Sequence, residues 1–177
     1  MRINTEKLDS KPKWIFIGLE DCRIIKWDDK FYICGVRRDA TENGEGRMEL
    51  SEIEFDFDEN YVNEISRKII EVIQNSYCEK NWMPILDNPY HFIKWTDPTE
   101  VVSVNTESYM MEQVLLSSQK YSLPNDLRGG SQLIPWFDDM YLSVVHDVDF
   151  ISKDYKGHKE GTYYHRFAIF NSDYSLK

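Results

Sequence analysis

The sequence predicts an all-β fold, a partial or truncated β-propeller of antiparallel blades carrying one inserted helix. Three observations lead there. The 177 residues include five Trp, eleven Tyr and nine Phe, a composition that suits pleated, half-buried strands. A strand, Trp, acidic turn, strand pattern recurs three times along the chain. Two of its copies stand about 41 residues apart, close to the roughly 40–50 residues of one propeller blade.

The first copy is Ile25-Lys26-Trp27-Asp28-Asp29, followed by the apolar run Phe31 to Val36. The second is Ile93-Lys94-Trp95-Thr96-Asp97, followed by Val101-Val102-Ser103-Val104. The third is Ile134-Pro135-Trp136-Phe137-Asp138-Asp139, followed by Met140 to Val145. Asp-Asp and Thr-Asp-Pro supply turn chemistry between β-rich runs, so each copy reads as a hairpin. The wider gap between Trp27 and Trp95 contains an interruption. Within 60–77, Val62, Ile65, Ile69 and Ile73 recur at helical spacing behind Asn60, a residue suited to an N-cap. This predicts a helix packed on the outside of the β array.

Further strands are expected at Trp14 to Leu19, at Arg47 to Phe57 and at Tyr163 to Phe170, with Tyr109 to Leu116 open between strand and short helix. The polar stretch Asp149 to Thr162 reads as a long loop, either a binding or gating element or plain solvated slack. The whole of 1–177 reads as a single propeller-type domain. Three hairpin units fall short of the four to eight blades of a closed propeller, and an open array exposes sheet edges. The domain is therefore expected to be incomplete, its edges covered by missing blades or by a homo-oligomer.

The formal charge of −10 excludes the basic footprint of a nucleic-acid or anionic-membrane binder. Cys22, Cys34 and Cys78 are odd in number and lack metal or redox spacing, which points to free thiols in a reducing compartment. No apolar run approaches a membrane span, and the N-terminal segment lacks a signal-peptide pattern. The expected location is the cytoplasm. No metal or other cofactor is called for.

The densest polar constellation is Gly18-Leu19-Glu20-Asp21-Cys22-Arg23, just before the first hairpin. Adjacent carboxylates with a nearby Arg can supply a general acid and an orienting cation, or simply a structural ion pair. A general acid must hold its proton near neutrality, which requires burial or a neighbouring carboxylate. Glu79-Lys80-Asn81-Trp82 opens the second unit and Leu127-Arg128-Gly129-Gly130-Ser131 the third, where the Gly pair permits either close approach to a ligand or a plain turn. His146 ends a β-rich run, as a ligand contact or as a rim histidine. In Tyr164-His165-Arg166, strand alternation places His165 and Phe167 on one face and Arg166 on the other.

Taken in order, these motifs resemble a known family. G-x-E-D-x-R-I ahead of a W-D-x-K-F/Y-Y hairpin is similar to the five-bladed propellers of the mannoside phosphorylases and related hydrolases, glycoside hydrolase family 130. Gly46 to Leu50, Lys80-Asn81, Gly129-Gly130-Ser131, Tyr141 and His146 follow that family's later segments. The resemblance implies an inverting glycosidase or glycoside phosphorylase acting on a β-linked, mannose-like sugar. Asp21 would be the general acid. Glu20, Arg23, Arg47, Lys80, Asn81, Arg128, Tyr141 and His146 would contact sugar or inorganic phosphate. Hydrolysis would require a second carboxylate, such as Asp147 or Asp149, roughly 6.5–9.5 Å from the first. The chain departs from the family at Cys22, where Pro is usual, and near Lys94-Trp95, where a phosphate-binding His-Arg pair is missing. A non-catalytic glycan-binding or scaffolding propeller is the alternative.

Overall fold

A computed structural model describes residues 2–73, 76–121, 126–153 and 159–177. The described residues form thirteen strands in three sheets and contain no helix. The first sheet holds β1 (Arg2–Asn4), β2 (Leu19–Trp27), β3 (Lys30–Arg37), β4 (Arg47–Asp56) and β5 (Tyr61–Ile69), ordered β1-β5-β4-β3-β2. Strands β2 to β5 are an antiparallel meander, and β1 adds to β5 in parallel. The second sheet is the antiparallel meander β6 (Met83–Pro84), β7 (His91–Trp95), β8 (Glu100–Val104) and β9 (Met111–Leu116). In the third, β10 (Arg128–Gly129) and β11 (Ile134–Pro135) pair with β12 (Tyr141–Lys153), which also pairs with β13 (Lys159–Phe170). His146 pairs with both Arg128 and His165, and Leu142 with both Ile134 and Ile169. Strands β10 and β11 therefore share the edge of β12 opposite β13.

Each sheet carries one of the three Trp hairpins. Trp27 closes β2 before a two-residue turn in which Asp28 takes φ 53°. Trp95 ends β7, and Trp136 follows β11 ahead of Asp138 and Asp139, at φ 57° and 54°. Asp tolerates this left-handed region because its short side chain bonds locally. Packing distinguishes the copies. Trp27 is 1% exposed and donates from Nε1 to the Ile85 carbonyl at 2.9 Å, whereas Trp95 and Trp136 are 44% and 43% exposed.

The core is built on the two faces of the second sheet. Phe92 and Val102 join Ile25, Trp27, Met48 and Leu50 of the first sheet, together with Trp82. Their chain neighbours Ile93 and Val101 join Val145, Ala168 and Phe170 of the third sheet, together with Leu133. Strand alternation explains this division: consecutive residues face opposite ways, so one short apolar meander covers both of its neighbours. A third, smaller cluster of Ile33, Ile53 and Val62 lies within the first sheet.

The helix expected within 60–77 is absent from the described residues: Tyr61–Ile69 is strand β5, paired with β4. Asn60, expected as an N-cap, takes φ 53° ahead of this strand. Val62 and Glu64 are buried at strand spacing, and Ile65, 48% exposed, is the unpaired residue between Glu64 and Ser66 where the register shifts. The helical spacing of Val62, Ile65 and Ile69 thus reflects a bulge, and β-branched residues favour the ladder that β4 offers. Residues 74 and 75 lie outside the described set. Trp14 to Gly18 forms bends, with Ile15, Phe16 and Ile17 exposed, and the strand begins at Leu19. The expected loop from Asp149 to Thr162 is largely hairpin, with Asp149 opposite Thr162 and Phe150 opposite Gly161; residues 154–158 lie outside the described set. Among the described residues no helix is long and apolar enough to cross a membrane.

Candidate functional site

The polar motif at the start of β2 is shaped by a bulge. Glu20 pairs with Val36 and Arg23 with Cys34, so Asp21 and Cys22 together oppose Gly35. Asp21 takes φ 54°, the left-handed conformation that the first residue of such a bulge requires. A Cβ on Gly35 would stand 2.7 Å from the Glu20 carbonyl oxygen, so the bulge needs glycine beneath it. The result is an exposed Asp21 side chain aimed into a cleft.

Arg23 ties this bulge to the third sheet. Its guanidinium donates to the Gly130 carbonyl at 3.0 Å, the Gly129 carbonyl at 3.3 Å and the Asp21 carbonyl at 3.2 Å. All three acceptors are backbone oxygens, so Arg23 holds main chain. Burial lowers its pKa from the ordinary value, yet a guanidinium stays charged in proteins. Gly129 is a second point of close approach: a Cβ there would collide with the Asn81 carbonyl oxygen. Strand β2, strand β10 and the residues just before β6, each from a different sheet, are thereby drawn together.

They enclose a cleft of about 470 Å³, within the range of about 300–1,000 Å³ usual for small-molecule sites. Asp21, Arg23, Lys80, Asn81, Arg128 and His146 line it, with Cys22, Gly129, Gly130, Tyr163 and His165. Asp21 is the single carboxylate among these lining residues. Against it stand three permanent cations, in a chain whose net charge is −10. Neither Lys80 nor Arg128 has a side-chain hydrogen bond or ion pair with another described residue. Burial lowers the His146 pKa, and the neighbouring Arg128, His165 and Arg23 lower it further. Burial raises that of the Cys22 thiol, helped by Glu49 and Asp21, which makes Cys22 a weak nucleophile. Such a cleft can hold an anion through Lys80, Arg128 and the histidines, and can offer Asp21 to a hydroxyl.

Several residues expected at the site lie elsewhere. Glu20 sits on β2, exposed and outside the cleft lining. Arg47 is buried, donating to the carbonyls of Gly46 and Ser76 and pairing with Glu45 at 2.6 Å; it organises a chain crossing. Tyr141, at the other end of β12, donates to Asp87 at 2.9 Å and packs on Tyr174. Asp147 is buried and held by Arg166 at 2.9 Å, and neither it nor Asp149 lines the cleft. The sequence reading left Tyr163 and His165 out of the site. Their signal was register: His165 lies directly opposite His146, with ring centroids 6.2 Å apart.

No protein-family model matches the chain, and neither curated proteins nor solved structures provide a match. Among the described residues no group of three or more His, Cys, Asp or Glu is placed to hold a metal ion.

Proposed function

We propose that the chain is a carbohydrate-active, propeller-type domain whose cleft receives a β-linked, mannose-like glycoside together with inorganic phosphate. The observation that supports this most is the uncommitted cationic pair, Lys80 and Arg128, lining the same cleft as Asp21. Phosphate would attack the anomeric carbon while the glycosidic C–O bond breaks and the leaving oxygen takes the Asp21 proton, directly or through a sugar hydroxyl. That Asp21 is the one carboxylate among the described lining residues favours phosphorolysis over hydrolysis, because an inverting hydrolase needs a second carboxylate to activate water. The radial, partial-propeller arrangement belongs to the same proposal. Its support is that β2, β10 and the approach to β6, which belong to three different sheets, all supply residues to the cleft. The free thiols of Cys22, Cys34 and Cys78 suit a cytoplasmic setting.

A non-catalytic glycan-binding role has one observation in its favour: Asp21 is exposed, with no second carboxylate beside it among the described lining residues. One experiment separates the readings. β-Mannosides are incubated with the protein, with and without phosphate, and sugar 1-phosphate and reducing sugar are measured. Phosphate-dependent release, lowered about 100- to 10,000-fold by Asp21→Asn with phosphate affinity unchanged, supports the phosphorylase. Saccharide binding without turnover supports the binder, and turnover of Asp21→Asn at the wild-type rate removes Asp21 as the acid.

A further inference from the structure

The cleft does not end at Lys80 and Arg128. A second cavity of about 200 Å³ adjoins it, lined by Trp95, Lys94, Trp82 and Glu79 among others. It shares Lys80, Asn81, Arg128 and Gly129 with the first. The two are neighbouring rooms with a common wall, and that wall carries the two cations that have no side-chain partner among the described residues.

The groups on the floor of this second cavity are already engaged. Trp82 is buried, and its Nε1 donates to Glu79 at 3.0 Å. Lys94 pairs with Glu79 at 3.4 Å and lies over the Trp82 ring. Trp95 differs. It is 44% exposed and has no hydrogen bond or ring contact with another described residue. Trp136, equally exposed, leans on Phe137 at 5.3 Å. The β7–β8 register shifts between Ile93 and Trp95, and a bulge of this kind re-aims the side chain that follows it. An indole held at a cavity edge offers a flat apolar face and one N–H donor. A pyranose ring presents the complementary pair, an axial C–H face and equatorial hydroxyls.

We propose that Trp95, with Lys80 and Arg128 at its rim, forms a second saccharide subsite. A ligand anchored in the main cleft passes the Lys80–Arg128 wall and lays its next ring on the indole. This rests on the carbohydrate reading of the main cleft, and the test keeps the two apart. The folded wild type, Trp95→Ala and Trp95→Phe are titrated by calorimetry with inorganic phosphate. The same proteins are titrated with a panel of β-linked disaccharides of mannose, glucose, galactose and N-acetylglucosamine, and with the matching monosaccharides. The expected result is at least one disaccharide binding wild type about tenfold tighter than its monosaccharide. Trp95→Ala abolishes that advantage, Trp95→Phe keeps most of it, and phosphate affinity is the same in all three. Saccharide binding with no disaccharide advantage, or an advantage that survives Trp95→Ala, overturns the subsite and leaves the main-cleft reading standing. Wild type that binds neither phosphate nor any saccharide overturns both.

Discussion

At the scale of single residues, Asp21 carries two demands at once. It presents a carboxylate to the cleft, and its backbone occupies the left-handed region at the head of a bulge. Most L-residues pay about 1–2 kcal/mol there, while Asn and Asp bond locally and Gly has no Cβ to clash. Asp21→Asn and Asp21→Gly are therefore expected to fold with near wild-type stability, and Asp21→Ala to be about 1 kcal/mol less stable than Asp21→Asn. Urea unfolding checks this. Equal stability of all three variants would mean that the positive φ is not a constraint. The comparison also identifies Asn as the substitution that removes the charge while leaving the bulge intact.

At the scale of elements, the β12–β13 hairpin is expected to give the cleft a pH response. His146 faces Arg128 and Arg23 from neighbouring strands and His165 across the ladder, with Asp21 as the opposing charge. Its pKa is depressed in the folded protein, so His146 is neutral at pH 7. Stability linked to it is fully present above the unfolded value of about 6.5 and is lost as pH falls from there through the lowered folded value. A bound anion favours the charged imidazole. Sulfate, which does not titrate in this range, should therefore bind more tightly as pH is lowered from 7.5 to 5.5. His146→Gln should flatten that profile. A profile unchanged by His146→Gln would remove His146 as its source. Part of this arrangement was legible beforehand: Arg128 and His146 were both expected at the site. His165 was not, because alternation gives a residue's face and only register gives its cross-strand neighbour.

At the scale of the molecule, the second sheet joins the other two. Phe92 faces the first sheet and Ile93 the third, so neighbouring residues stabilise different interfaces. Truncating either to Ala should cost about 3–5 kcal/mol for Phe92 and about 2–5 kcal/mol for Ile93. Each variant should still unfold in a single transition, because both interfaces are built on opposite faces of the same second sheet. Fluorescence and far-ultraviolet dichroism followed through a urea titration would test this. Separate transitions in either variant would show that the three sheets are not one cooperative unit.

Aromatic content, apolar runs and the acidic turns determined from sequence alone that the chain is all-β and that Trp27, Trp95 and Trp136 end or follow strands of separate hairpins. These are local properties, fixed by propensity and by which residues tolerate a tight turn. The helix expected at 60–77 failed for a non-local reason. One inserted residue at Ile65 makes a strand mimic helical spacing, and only pairing with β4 distinguishes the two. The same holds for the cleft. Arg23 looked like a partner for the Asp21 carboxylate, and Arg47 like a ligand contact. Their donors instead go to carbonyls and to Glu45, acceptors that folding brings into reach. Which of the polar residues remain unspent, and so free to meet a ligand, was decided by tertiary structure, because a side chain's availability depends on every partner packed around it.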